Sequence, residues 1–517
     1  MSAKSNNLVN FPKDAVVLHK YNFKSNGIPI NISIVKLPND FVPTYFVSVA
    51  RISEHTELIL DEIRDELISE LSVDVSQISS ESKHGSLEQS FKRNIEILIR
   101  KYFPDLDEEE LDILTAYMIQ KCLGMGRIEI LRDDHELEEI AINCAKEPIW
   151  IYHRRFGWLK TNVYVRSEDQ IKHFSTMIGR KVDRQISLLY PLMDANLATG
   201  ERVNATLAPI SLKGNTITLR RFASKPWTIT DFLSNETVSV RIAALLWLCV
   251  EYDLSMIIAG GTASGKTSML NVVANFFPPN QRIISIEDTH EIRLPKFLHW
   301  IPMITRVPNP EGKGGITMLD LLVNSLRMRP DKIIVGEIRR QREAEVLFEA
   351  MHTGHSVYAT VHANTAKEAV TRLTSPPINI PKSMLPAISV ILVQYRNRRT
   401  GIRKTFELAE VTEKGEAQVL MRFNQSTGKF EETDVLKEAI SSRRAKSKST
   451  LFSKLELFTG MSNRQIVTDL KEKEKVLLWM LNQGINMVDE VGKVMGFYYT
   501  QHEKFMKLVE KNKPLGD

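Results

Sequence analysis

Cysteine is scarce in this sequence. The 517 residues hold three, Cys122, Cys144 and Cys249, far apart and in no CxxC pair. That spacing supports neither a disulfide framework nor a zinc knuckle, and fits idle thiols in a reducing cytoplasm. Long apolar runs are missing too. The longest, residues 242–250 (IAALLWLCV), is far too short to span a bilayer. The opening residues (MSAKSNNLVNFPKDAVV) contain no continuous apolar region of the signal-peptide kind. Neither sign of charge dominates: 68 Lys and Arg against 63 Asp and Glu leave a net +5, a weak pull for nucleic acid or anionic lipid. Internal repeats and long low-complexity tracts are absent. What remains is an ordinary globular composition, 43% hydrophobic and 25% charged, in a chain long enough for two or three domains.

Three short runs between residues 15 and 52 read as strands, with Asn26-Gly27 between the first two predicting an antiparallel hairpin. Helical spacing follows at residues 57–71, 87–102 and 107–123, with a Ser-rich surface loop expected at 72–86 and Pro104 dividing the last two helices. Residues 126–225 mix short apolar runs with one helical stretch at 167–178, an α+β pattern. A short connector begins at Pro226-Trp227. Strands then alternate with helices, the sign of a parallel sheet with crossovers, so the chain is placed in the α/β class. Beyond residue 400 a hairpin-like stretch leads through the basic run Arg443, Arg444, Lys446 and Lys448 into helices, and residues 439–449 are expected to be a solvated linker.

Residues 255–259, 282–286, 332–335 and 357–361 read as buried parallel strands, each followed by polar residues or glycine at the edge where α/β sheets bind ligands. After the first come Gly260, Gly261, Thr262, Ala263, Ser264, Gly265, Lys266 and Thr267, which fit G-x-x-x-x-G-K-[ST], and then Ser268. Glycines let successive N–H groups face a polyphosphate, and the helix opening at Lys266 adds its positive end. Lys266 reaches the β- and γ-phosphates, and the Thr267 hydroxyl can ligate Mg²⁺. The second strand ends in Glu287-Asp288, with Glu291 one helical turn on; the third ends in Gly336-Glu337; the fourth ends in His362. Transfer of a phosphoryl group to water needs metal, charge neutralisation and a group that orients the water. Glu337 is expected to orient it or act as general base. Glu287 is expected to assist or to hold Mg²⁺ through water, and His362 to sense the γ-phosphate. Thr267, Glu287 and Glu337 are thus the expected metal residues. Arginine is sparse at this edge but prominent earlier, as Arg202 and the pair Arg220-Arg221. Guanidinium suits the spreading negative charge of the transition state and is often supplied by a second domain or subunit. Alternation points Arg221 away from Arg220, which leaves Arg202 and Arg220 as the candidates.

Residues 260–267, the box IEDTHEI (286–292), the strand KIIVGEIR (332–339) and TGHSVYATVHAN (353–364) resemble, in order, the Walker A, Asp box, Walker B and His box of the type II/IV secretion ATPase superfamily. Residues 193–222 resemble the segment that carries that family's catalytic arginines. The resemblance covers about residues 125–400. The Walker B strand ends in Gly-Glu rather than Asp, which leaves the direct Mg²⁺ carboxylate unassigned. The long N-terminal extension, the lack of a tetracysteine element and the helical tail are most similar to archaeal members that power the archaellum or assemble type IV pilus-like filaments. The resemblance implies a RecA-like P-loop core at 235–400 and an α+β (PAS-like) module at 126–225. An N-terminal extension at 1–125, a linker at 226–234 and a C-terminal hairpin and helical extension at 401–517 complete the expected layout. It further implies ATP and Mg²⁺ as ligands and a homohexamer with ATP held between module and core. A polytopic membrane platform protein is the implied partner, with room for accessory motor proteins and for peripheral attachment at the inner face of the cell membrane. Export of protein or DNA, and a nucleic-acid translocase, are the alternatives. Against the last, no basic stripe interleaves with aromatics, and no sequence-specific nucleic acid is expected.

Overall fold

The computed structural model describes residues 12, 14–38, 40–49, 52–70, 84–197, 199–221, 226–309, 311–397, 399–441 and 449–515. It divides into two compact units, Met1–Ala223 and Ser224–Asp517.

In the first unit, Asn26 and Gly27 take positive φ of 49° and 84°, as a two-residue type I′ turn requires. The turn joins β1 (Val16–Ser25) to β2 (Ile28–Lys36) as the expected antiparallel hairpin. β3 (Thr44–Val49), β4 (Leu137–Ile142), β5 (Trp150–His153), β6 (Gly157–Thr161), β7 (Leu192–Asn196), β8 (Arg202–Thr206) and β9 (Thr216–Arg220) complete one nine-stranded sheet. Its order is β1-β2-β3-β6-β5-β4-β9-β8-β7. The pairing of β3 with β6 carries the sheet across residue 125, so the strands of the expected extension and of the expected α+β module form one body. Helices Glu54–Glu70, His84–Tyr102 and Glu108–Leu123 bury Leu60, Ile95 and Leu114 in the same core as Ile30 and Ile32 of β2. Asp107 caps the third of these, its Oδ1 accepting the Glu110 N–H at 2.7 Å. Of the expected Ser-rich loop, residues 72–83 lie outside the described residues, and the next helix starts at His84.

The second unit is built on β10 (Met256–Gly260), β11 (Arg282–Glu287), β12 (His299–Ile304), β13 (Lys332–Val335), β14 (Ser356–Val361), β15 (Val390–Arg396), β16 (Arg403–Val411), β17 (Ala417–Asn424) and β18 (Lys429–Glu432). The sheet order is β12-β11-β13-β14-β10-β15-β16-β17-β18; pairing is parallel as far as β15 and antiparallel from there on. The four expected strands are all present and parallel. The unforeseen β12 and β15 flank them. The stretch after residue 400 extends this sheet instead of standing apart from it. The apolar run 242–250 lies in the helix Val240–Glu251, buried in a core shared with the C-terminal helix Asn463–Asn482. Trp247 donates to the Tyr499 hydroxyl at 2.9 Å, which in turn donates to the Phe276 carbonyl at 2.8 Å. The tail helices are therefore an integral part of this core. No described helix is long and apolar enough to cross a membrane.

Two expected connectors meet ordered structure. Residues 226–234 are not an open connector: Thr228 caps a helix, Ile229–Ser234, whose Ile229, Phe232 and Leu233 are buried in the unit's core. The linker expected at 439–449 is anchored at both ends. Ala439 is buried, and so is Ser449, which hydrogen-bonds Glu410 at 2.5 Å. The four basic residues between them lie outside the described residues.

Candidate nucleotide-binding site

The order β11-β13-β14-β10 sets the four motif-bearing strands side by side, so their carboxyl ends share one edge. At Gly260 a Cβ would fall 2.3 Å from Ser264 Oγ and 2.6 Å from the Gln394 carbonyl, so only glycine fits. Ala263 and Gly265 both take positive φ, 57° and 92°, on either side of Ser264. Left-handed residues alternating with right-handed ones turn neighbouring N–H groups inward, the geometry of an anion nest. Ser264 is 2% exposed, and its hydroxyl finds no partner among the described residues. Gly265 then opens the helix Lys266–Ala274, with Thr267 and Ser268 in its first turn. The Lys266 ammonium donates to the Gly261 carbonyl at 3.1 Å. Burial pulls its pKa down, against the attraction of Glu337 and Glu291. From β16, Arg403 donates to the Ala263 carbonyl at 3.0 Å, a brace 140 residues away in sequence. A buried hydroxyl without a partner, a backbone nest and a half-buried ammonium fit a polyphosphate.

The acidic residues divide into two kinds. Glu287 was expected to assist hydrolysis or hold Mg²⁺ through water, but its carboxylate is committed elsewhere. It is 2% exposed, and Oε1 accepts the N–H groups of Glu291 at 3.0 Å and Ile292 at 3.1 Å. Oε2 lies 3.2 Å from His290 Nδ1. Residues 290–295 are irregular, not a helical turn, and Glu287 staples their start. Glu337 instead faces other functional groups. Its Oε2 accepts from Arg339 Nε at 3.0 Å and Nη2 at 2.7 Å, and Oε1 lies 3.3 Å from His362 Nε2. Partial burial and the Lys266 ammonium hold the His362 pKa below the usual imidazole value, against the pull of Glu337. Lys266, Glu337 and His362 are thus brought together as expected, with Glu291 close enough to act on Lys266. His355 sits at the opposite end of β14, against the Ala350 carbonyl at 3.2 Å. Of the expected Mg²⁺ residues, Thr267 stands in the first turn of the helix Lys266–Ala274, while Glu287 and Glu337 have other partners. No group of three His, Cys, Asp or Glu fit to hold a metal occurs among the described residues. A hydroxyl beside a polyphosphate cradle is chemistry that fits Mg²⁺, an ion that keeps most of its ligands as phosphate oxygens and water.

In the first unit Arg202 and Arg220 face each other in register across β8 and β9, and Glu139 faces Arg220 from β4. Arg202 grips Asp194 with Nε at 3.0 Å and Nη2 at 2.6 Å. Arg221 turns away, as alternation requires, and hydrogen-bonds the Asp134 carbonyl and lies 3.4 Å from His135 Nδ1. Like charges directly opposite on neighbouring strands oppose pairing. The two guanidinium groups thus stand side by side at an exposed place, with Asp194 on Arg202 and Glu139 opposite Arg220.

A family model described as type II/IV secretion system protein matches residues 182–452. An uncharacterised Methanocaldococcus jannaschii protein, MJ0900, is 37% identical over 306 residues, 59% of this chain and 55% of its own length. The chain thus spans about half of that relative. The type IV secretion system protein PtlH of Bordetella pertussis is 29% identical over 302 residues, 52% of this chain and 88% of its own. Among solved structures, the Legionella pneumophila ATPase DotB aligns over 71% of this chain and 94% of its own at 18% identity, with a TM-score of 0.41. With more than half of its residues matched by that family model, this chain belongs to the type II/IV secretion system protein family.

Proposed function

We propose that the chain is an ATP-hydrolysing motor, working as a homohexamer, that powers assembly or rotation of an archaellum or archaeal type IV pilus-like filament through a polytopic membrane platform protein. The observation that carries the ATPase reading is the single sheet edge where the nest at 260–267, Lys266, Glu337 and His362 meet. Backbone N–H groups hold the phosphates, and Lys266 neutralises the β- and γ-oxygens. Thr267 would hold Mg²⁺, which would supply positive charge to neutralise the phosphates. Glu337 orients the attacking water, and His362 makes a hydrogen bond at the γ-phosphate. Arg202 and Arg220 supply guanidinium to the transition state when the first unit closes on bound nucleotide. The filament assignment draws on membership of the family, on the large N-terminal unit and on the helical tail, and the M. jannaschii relative adds only an archaeal source.

Phosphate release from ATP by the full chain, with Lys266→Ala as control, tests the chemistry. Release by the variant close to the wild-type rate removes residues 260–267 from the site. Electron microscopy of cells lacking the chain tests the biology, with loss of filaments expected. The likeness to PtlH favours a second reading, export of protein or DNA, and intact filaments with lost secretion would select it. Strong stimulation of hydrolysis by DNA would select a translocase.

A further inference from the structure

Arg339 follows Glu337 by two residues, in a stretch with no regular structure after β13. Its guanidinium spans two carboxylates. Nε and Nη2 fill Oε2 of Glu337 at 3.0 and 2.7 Å, and Nη1 reaches Asp288 Oδ2 at 2.6 Å. Asp288 is itself held by the Thr305 hydroxyl at 3.0 Å. With His362 on Oε1, about three of the four or so acceptor positions of the Glu337 carboxylate face donors. A group that orients water cannot work with its oxygens so filled. Arg339 also lies close enough to Lys266 for its charge to push the ammonium's pKa down. Two cations therefore stand together at the place where a third phosphate would meet Lys266. A guanidinium is drawn more strongly to a phosphate than to a single carboxylate oxygen, and its fork serves both partners only in turn.

We propose that Arg339 is a partner-switching residue: it holds Glu337 when the γ-phosphate is absent and, pivoting on Asp288, moves to the γ-phosphate when ATP is bound, which frees Glu337 to orient water. The inference rests on residues 260–267 binding a nucleoside triphosphate. It goes beyond that reading by making Arg339 the group that senses the third phosphate. No bond is made or broken in the switch; only hydrogen bonds are exchanged.

Calorimetric titration of the full chain with ADP and with the non-hydrolysable analogue AMP-PNP, both with Mg²⁺, tests it through the ratio of the two dissociation constants. In Arg339→Ala the preference for AMP-PNP should fall about tenfold or more, the loss of a charged hydrogen bond, while ADP affinity is kept. In Glu337→Gln, whose neutral amide releases the guanidinium more readily, that preference should rise. The double variant should match Arg339→Ala alone. A fixed structural brace would instead leave the preference unchanged in both single variants, and that result overturns the proposal. Retained ADP affinity certifies a folded site. Should Arg339→Ala fail that check, Arg339→Lys decides: a lysine keeps the charge without the fork, so an intermediate preference supports the switch and an unchanged one refutes it. Absence of any nucleotide binding by the wild-type chain would sink the ATP reading itself, a separate outcome.

Discussion

At the scale of the residue, the two glutamates at neighbouring strand ends differ in what surrounds them. Glu337 meets Lys266, Arg339 and His362, so Glu337→Gln should keep ATP binding and slow hydrolysis by roughly 10²–10⁴, the usual contribution of a positioned base. Titration and phosphate-release measurements together check this; if binding falls with turnover, Glu337 is structural. Glu287 satisfies two buried N–H groups, and Glu287→Ala leaves both without an acceptor. That should cost on the order of 1–3 kcal/mol of stability, while Glu287→Gln, which keeps one oxygen acceptor, should cost less. Thermal unfolding reads the difference. An unchanged midpoint with lost turnover would return Glu287 to the catalytic role first expected of it.

At the scale of the element, β8 and β9 carry Arg202 opposite Arg220, an arrangement that pairing alone disfavours. Because Arg220 also faces Glu139, Arg220→Ala trades relief of that repulsion against a lost attraction and should change the melting temperature little while removing most of the turnover and keeping nucleotide affinity. A marked drop in melting temperature would make Arg220 a structural ion-pair residue instead. The helix Ile229–Ser234 gives a second test. A chain cut at residue 235 loses Ile229, Phe232 and Leu233, each worth about 1.5–3 kcal/mol of burial, and should melt well below a chain cut at residue 224. Equal melting temperatures would mean that this helix contributes nothing to the core.

At the scale of the whole molecule, the second unit holds the nest, Lys266, Glu337 and His362, and the first unit holds Arg202 and Arg220. If the proposed closing mechanism holds, the second unit alone, from residue 224, should bind ATP and hydrolyse it far more slowly than the full chain, since it lacks Arg202 and Arg220. Hydrolysis by that unit at the full rate would end the closing mechanism.

The phosphate-loop sequence and the strand ends that the structure brings to one edge were legible because their signals are local. Residues 260–267 are contiguous, and the buried parallel strands are largely apolar runs followed by polar residues or glycine. The Asn26-Gly27 hairpin was legible for the same reason. Less local features stayed hidden. β12 is mostly exposed and contains Pro302, so its composition gives a weak strand signal, and the apolar run of β15 fits a strand or a buried helix equally. The basic run at 443–448 lies outside the described residues and stays an expectation. Only tertiary packing decided the order β11-β13-β14-β10, the commitment of Glu287 to its own loop, the core role of the tail helices, and the reach of Arg339 to Asp288, 51 residues away. Those depend on which surfaces bury each other across long separations. A local pattern of apolar and charged residues names the elements and their ends, but carries no record of their neighbours.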